Sequence, residues 1–237
     1  MAILLKNWVG LTLMKRWIFL CFVTSAQATP LVKAGHPMNF SQSLPGAAEP
    51  KGYDASLLRC IEQRSQLQFD WTSYPNIRLF HHVATGQLDL VYPALFDAER
   101  DKKSARSVEF VTVNNIWLTL PDSEVDLTNK AISVSVKRGS LQASYLEKAG
   151  YLNVVYVEEF DKQLLTLDAR RVDAALIPDL SLKALLSDSS PVYRQQRFNT
   201  TSGGFYLSQA FAKQHLTAIN QAILACQQHI PKPVKPD

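Results

Sequence analysis

Apolar positions recur along the chain in two rhythms, and an element ends where the rhythm changes. Leu31-Val32-Lys33-Ala34-Gly35 reads as a short first strand, and a loop rich in Pro, Gly and Ser follows to about residue 52. Asp54 then stands where a helix N-cap belongs, ahead of Leu57, Leu58 and Ile61 at helical spacing. Residues 67–71, Leu-Gln-Phe-Asp-Trp, alternate as a half-buried strand does. A second helix is predicted over 76–84, with Gly86 as its C-terminal cap. It leads into Leu88-Asp89-Leu90-Val91-Tyr92, an apolar strand that Pro93 stops. Helix and strand alternate throughout, so the pattern predicts an α/β architecture with helices packed on a sheet.

The pattern then repeats loosely. Ala131-Ile132-Ser133-Val134-Ser135-Val136 alternates strictly, and Lys137-Arg138-Gly139-Ser140 turns it into a helix reaching about Lys148. A strand at 154–157 and a helix over 162–169 follow, and Val172-Asp173-Ala174-Ala175-Leu176-Ile177 echoes the earlier Leu88-Asp89-Leu90 entry. The two aspartates are 84 positions apart, and two units in matching order predict two similar lobes. The last helix, about 209–227, carries Leu216, Ile219, Ile223 and Cys226 at spacings of three and four, an apolar stripe for core packing. The tail at 231–236 alternates proline with other residues and cannot extend that helix.

The ends and the charge narrow the setting. Met14-Lys15-Arg16, the apolar run 17–23 and Ala26-Gln27-Ala28 have the order of a secretory leader, with a cleavage site near Thr29 and a start at Met1 or Met14. The apolar run falls well short of the ~20 residues that span a bilayer. Cys21 lies inside it, without the small residues that precede a lipid-modified cysteine. Of the 25 basic residues the leader takes three, leaving 22 against 21 acidic, which argues against nucleic acid or an anionic membrane as partner. The expected setting is periplasmic, as a monomer. Cys60 and Cys226 remain, each on an apolar helix face; an oxidising compartment allows a disulfide, and buried free thiols fit equally.

Several short motifs in order carry a resemblance. Gly52-Tyr53-Asp54 looks like a Gly-Phe-Asp before a first helix, and Ala84-Thr85-Gly86-Gln87-Leu88-Asp89 like a Leu-x-x-Gly-x-Asp entry to a strand. Ala98-Glu99-Arg100 is similar to Thr-Pro-Glu-Arg, Val108-Glu109-Phe110 to Val-Asp-Phe, and Val172-Asp173-Ala174 to Val-Asp-Ala. Together with the Gly139-Ser140 turn, these resemble the bacterial extracellular solute-binding proteins of family 3, which feed amino-acid and related ABC importers. The resemblance implies a type II periplasmic-binding-protein fold of two lobes, each a sheet flanked by helices, hinged around a central cleft. It implies lobe one at 29–118 and 205–237, lobe two at 119–204, and a ligand clasped between them. It also implies a small-molecule partner, an inner-membrane permease or sensor, and no cofactor.

Arg100 takes the position of the family's carboxylate-gripping arginine, and a guanidinium fork suits bidentate binding. Ser140, at a helix N-terminus, offers a hydroxyl and free amides to an anion. Tyr53, Tyr74, Tyr92 and Phe96 are the nearest candidates for an aromatic wall, and His36, in the loop after the first strand, for a cleft-facing group. Departures are equally informative. Pro93-Ala94-Leu95-Phe96 replaces the small hydroxyl residues of amino-acid binders, and Leu141 replaces a hydroxyl after Ser140. Pro178 stands where the family's ammonium-binding Asp would be, with Asp179 displaced by one. A carboxylate-bearing or partly apolar ligand therefore fits at least as well as a standard amino acid. His81 and His82 are adjacent and point to different helix faces, poor geometry for a metal. No phosphate loop, Cys-x-x-Cys or nucleophile elbow occurs, so a binding protein rather than an enzyme is expected.

Overall fold

In the computed structural model, which describes residues 29–37, 53–186 and 192–229, the predicted alternation resolves into two units of the same build. The leader, the Pro/Gly/Ser-rich loop to residue 52 and the proline-rich tail lie outside the described residues. The first unit is β1 (Leu31–Pro37), α1 (Tyr53–Ser65), β2 (Gln68–Tyr74), α2 (Asn76–Ala84) and β3 (Leu90–Leu95). A short helix α3 (Ala98–Asp101) and β4 (Ala105–Arg106) lead to the long β5 (Val111–Thr119). The second unit is β6 (Ser133–Lys137), α4 (Leu141–Lys148), β7 (Asn153–Val157), α5 (Phe160–Asp168) and β8 (Ala174–Pro178). Then come α6 (Asp179–Leu185), β9 (Arg194–Leu207) and α7 (Gln209–His229). No helix among the described residues is long and apolar enough to cross a membrane.

The strands run in the order β2-β1-β3-β9-β5-β8-β6-β7, with β4 also on β9. In the first unit β1 pairs in parallel with β2 and β3; in the second, β6 pairs in parallel with β7 and β8. Each unit is completed by an antiparallel strand arriving from the other side of the molecule. β9, which follows the second unit, pairs with β3; β5, which follows the first, pairs with β8. β5 and β9 pair with each other from Val111–Gly203 to Thr119–Arg194, with a register shift between Asn115 and Ile116. Packing follows this division. Val32, Leu57, Ile61, Leu90, Phe110, Phe205 and Ile223 share one core, while Ile116, Leu118, Val134, Leu146, Leu167 and Leu176 belong to cores of the second unit.

The echoed aspartates have the same job in each unit. The Asp89 amide donates to the Lys33 carbonyl at 2.9 Å, and its carboxylate accepts the Lys33 N–H at 2.8 Å. The Asp173 amide donates to the Ser133 carbonyl at 2.9 Å, and its carboxylate accepts the Ser133 N–H and hydroxyl, each at 2.7 Å. Each aspartate thus pins an incoming strand to the start of its parallel neighbour, satisfying groups the ladder leaves open. Three residues before each, the turn passes through a left-handed residue, Gly86 (φ 75°) or Arg170 (φ 54°).

Two expectations change, and one open alternative is resolved. β1 runs on to Pro37, so His36 is a buried strand residue and not part of a loop. Pro93 does not stop β3, which continues to Leu95; the ladder to β9 shifts register between Val91 and Ala94, where proline has no donor to give. Cys60 and Cys226, left open by the sequence, form a disulfide with a Cα–Cα distance of 5.9 Å that joins α1 to α7.

Candidate functional site

Arg100 owes its position to the chain turning sharply after β3. Asp97 caps α3, its carboxylate accepting the amides of Glu99 (2.6 Å) and Arg100 (3.4 Å). The Tyr206 hydroxyl braces the turn, accepting the Asp97 N–H at 2.9 Å and donating to the Asp101 carboxylate at 2.7 Å. Burial pushes the Tyr206 phenol above its ordinary range, and the Asp101 carboxylate adds to that. So held, the Arg100 guanidinium sits over the Phe80 ring of α2, with Cζ 3.5 Å from the centroid. Nη1 donates to the Leu95 carbonyl at 3.0 Å, and Nη2 reaches the Gly139 carbonyl of the second lobe at 3.3 Å. Burial brings its pKa down to about 10, which leaves it cationic at neutral pH.

The facing wall comes from the end of β6. Gly139 turns with φ 68°, and Ser140 caps α4, its hydroxyl accepting the Ala143 amide at 3.1 Å. The amides of Leu141 and Gln142 in the first turn precede any intrahelical acceptor and carry the positive end of the helix dipole. Behind the turn, buried Lys137 pairs with half-buried Glu159 at 3.2 Å, with the ammonium 4.8 Å from the Phe160 ring. Arg138 pairs with Glu158 at 2.9 Å and lies over Tyr156, whose hydroxyl donates to Glu147 at 2.7 Å. Between the two walls is a cleft of about 520 Å³, lined by Ile77, Glu99 and Arg100 on one side and Gly139, Ser140 and Glu147 on the other. Its volume fits a small metabolite.

Of the residues singled out by sequence, Arg100 and Ser140 meet across this cleft, and the others whose side chains are described stand elsewhere. Tyr92 is fully buried, stacked on Phe110 at 5.3 Å and tilted against Phe205, so it fills the first core. Tyr74, half-buried at the end of β2, meets His82 edge-on at 4.9 Å. Phe96 packs edge-on against Tyr206, with Arg106 above its ring. His36 donates from Nδ1 to the Pro37 carbonyl at 2.8 Å and meets Trp71 edge-on. Asp179 accepts both the backbone amide (3.1 Å) and the side-chain amide (2.9 Å) of Asn114, strapping α6 to β5. Tyr53 opens α1, and its side chain lies outside the described residues.

The aromatic partner of the arginine is Phe80, which sequence reasoning missed. The signal lay in α2, where Asn76, Ile77 and Phe80 share the face that meets the Gly139 turn. Beneath the cleft, the Gln142 side chain donates to Asn115, whose own amide donates to Asn199 (2.6 Å) and Thr201 (2.9 Å). These groups tie the base of α4 to the two strands that cross between lobes.

No family model matches the sequence, and no curated protein matches it. Solved structures do. A variant of ArgBP from T. maritima superposes with a TM-score of 0.71 at 17% identity, over 84% of this chain and 90% of that one. The GluR0 ligand-binding core from Nostoc punctiforme, in complex with L-glutamate, gives 0.71 at 17% identity over 84% and 93%. An ancestral amino acid-binding protein, AncCDT-1, a precursor of cyclohexadienyl dehydratase, gives 0.69 at 14% identity over 84% and 89%. The chain has the fold these structures share, the two-lobed periplasmic-binding-protein fold.

Proposed function

We propose that the chain is a periplasmic solute-binding protein that captures a small polar or carboxylate-bearing ligand, an amino acid or a related metabolite, between its lobes. On this reading residues 1–28 are the export leader, and an ABC-type importer in the inner membrane takes up the cargo. The lobes exchange at about Asn114–Asn115 on β5 and Thr200–Gly203 on β9, where core membership changes over. The observation that carries the proposal is the meeting of Arg100 and the Ser140 end of α4, one from each lobe, in a single cleft. A desolvated guanidinium and a helix N-terminus both favour an anion, and both approach it only when the lobes close. Ligand binding then stabilises the closed arrangement of the lobes, which a membrane partner can read.

The test is a thermal-shift screen of the purified chain against amino acids, amines, organic acids and short peptides. A true ligand at a hundredfold excess over its Kd stabilises by about 2.7 kcal/mol. Arg100→Ala abolishes the shift for a carboxylate ligand while the protein stays folded. A second reading, a ligand-poor or sensory relative working through protein contacts, is favoured by one feature: Arg100 already donates to two carbonyls of its own chain. It predicts no shift with any compound. A dehydratase-like reading takes its precedent from the AncCDT-1 neighbour and predicts product from a cleft ligand incubated with pure protein.

A further inference from the structure

We propose that Arg100 and Gly139 form a lobe-to-lobe latch that holds the cleft closed by contacts of the chain with itself. The inference goes beyond the ligand-binding reading, because it concerns what keeps the lobes together with no ligand added. Phe80 and the Leu95 carbonyl hold the guanidinium from within the first lobe, and Nη2 donates to the Gly139 carbonyl of the second. The same turn makes a second contact that needs no charge. A Cβ on Gly139 would stand 2.7 Å from Ile77 Cγ1, 3.2 Å from the Ile77 backbone nitrogen and 3.4 Å from Asn76 Cβ. Only a residue without a side chain lets the turn lie this close on the first turn of α2, and its φ of 68° asks for glycine as well.

Among the described residues no carboxylate is within ion-pair distance of Arg100; Glu99 pairs with Lys102, and Asp101 with Arg106. The carbonyls of Leu95 and Gly139 therefore take donors of a half-buried cation, and opening the lobes withdraws one of them. An anionic ligand reaching Arg100 uses its remaining N–H groups or displaces Gly139. Such a ligand meets lobes already closed, so it stabilises an existing state rather than driving a large motion.

The experiment measures the distance between spin labels at Arg64→Cys and Leu152→Cys, exposed positions of the two lobes, in chain with the Cys60–Cys226 disulfide oxidised and no ligand added. The parent gives one short distance. Arg100→Ala raises the open-to-closed ratio at least about tenfold, as expected for losing a charge-assisted hydrogen bond, and Gly139→Ala raises it by driving a Cβ against Ile77. Arg106→Ala, which removes a cation above Phe96 away from the contact, leaves the distribution unchanged. An open or broad parent distribution overturns the latch, and so do two folded variants that keep the short distance. Each failure is separable from failure of the binding reading, which is scored by ligand-induced thermal shift.

Discussion

At the scale of single residues, burial decides which polar groups are available for chemistry. His36 illustrates this, because its strand continues further than its sequence suggests. Desolvation lowers its pKa below the ordinary value near 6.5, although its hydrogen bond to the Pro37 carbonyl works the other way. The native state therefore holds a neutral ring, and as pH falls the unfolded chain takes up a proton first. The stability that His36 contributes is complete above about pH 6.5 and is lost as pH drops from there toward the lowered native value. Chemical denaturation between about pH 7.5 and 5 should show stability falling with acid, and His36→Gln should flatten that slope. The same logic explains what was legible in the site. Arg100 and Ser140 line one cleft because a fixed local turn, an Asp97 cap in one lobe and a glycine in the other, presents them there. Tyr74, Tyr92 and Phe96 lie away from this cleft, and sequence distance from a motif does not reveal which face of a strand a ring occupies. Alternation along β3 puts Tyr92 on the same face as Leu90, inside the first core.

At the scale of elements, what could be read was what repeats. The parallel strands β1, β3, β6 and β8 are apolar and bounded by turns, and their pinning aspartates occupy matching places. β5 and β9 were not legible. The first half of β9, Arg-Gln-Gln-Arg-Phe-Asn-Thr, is mostly exposed and pairs with β5 along one edge only, so no apolar rhythm marks it as a strand. Charged side chains on this open edge also discourage pairing with another chain. Helices α1 and α7, far apart in sequence, are packed together and joined by the Cys60–Cys226 disulfide across a separation of 166 residues. Closing so long a loop restricts the unfolded chain, and reduction should lower stability by about 3–5 kcal/mol on the chain-entropy account. Urea denaturation with and without reductant measures it, and Cys60→Ala with Cys226→Ala should match the reduced protein.

At the scale of the whole molecule, the lobes are similar units that each lack one strand, and the other side supplies it. Neither is a self-sufficient domain. A chain ending at residue 193 retains every parallel strand but loses β9 and α7, and with them Phe205, Leu207, Ile219 and Ile223 of the first core. Such a truncation should show no cooperative thermal transition by circular dichroism and little protection of β1–β3 amides in hydrogen exchange. The exchange of strands also sets a timetable. On the ribosome, the first lobe's own contribution to its core ends near Phe110, and the residues that complete it begin at Phe205. At a synthesis rate of ~5–20 residues per second, that half waits roughly five to twenty seconds for its missing strand and helix. Throughout that interval it remains an unfinished chain, the form that export would require on the proposed reading.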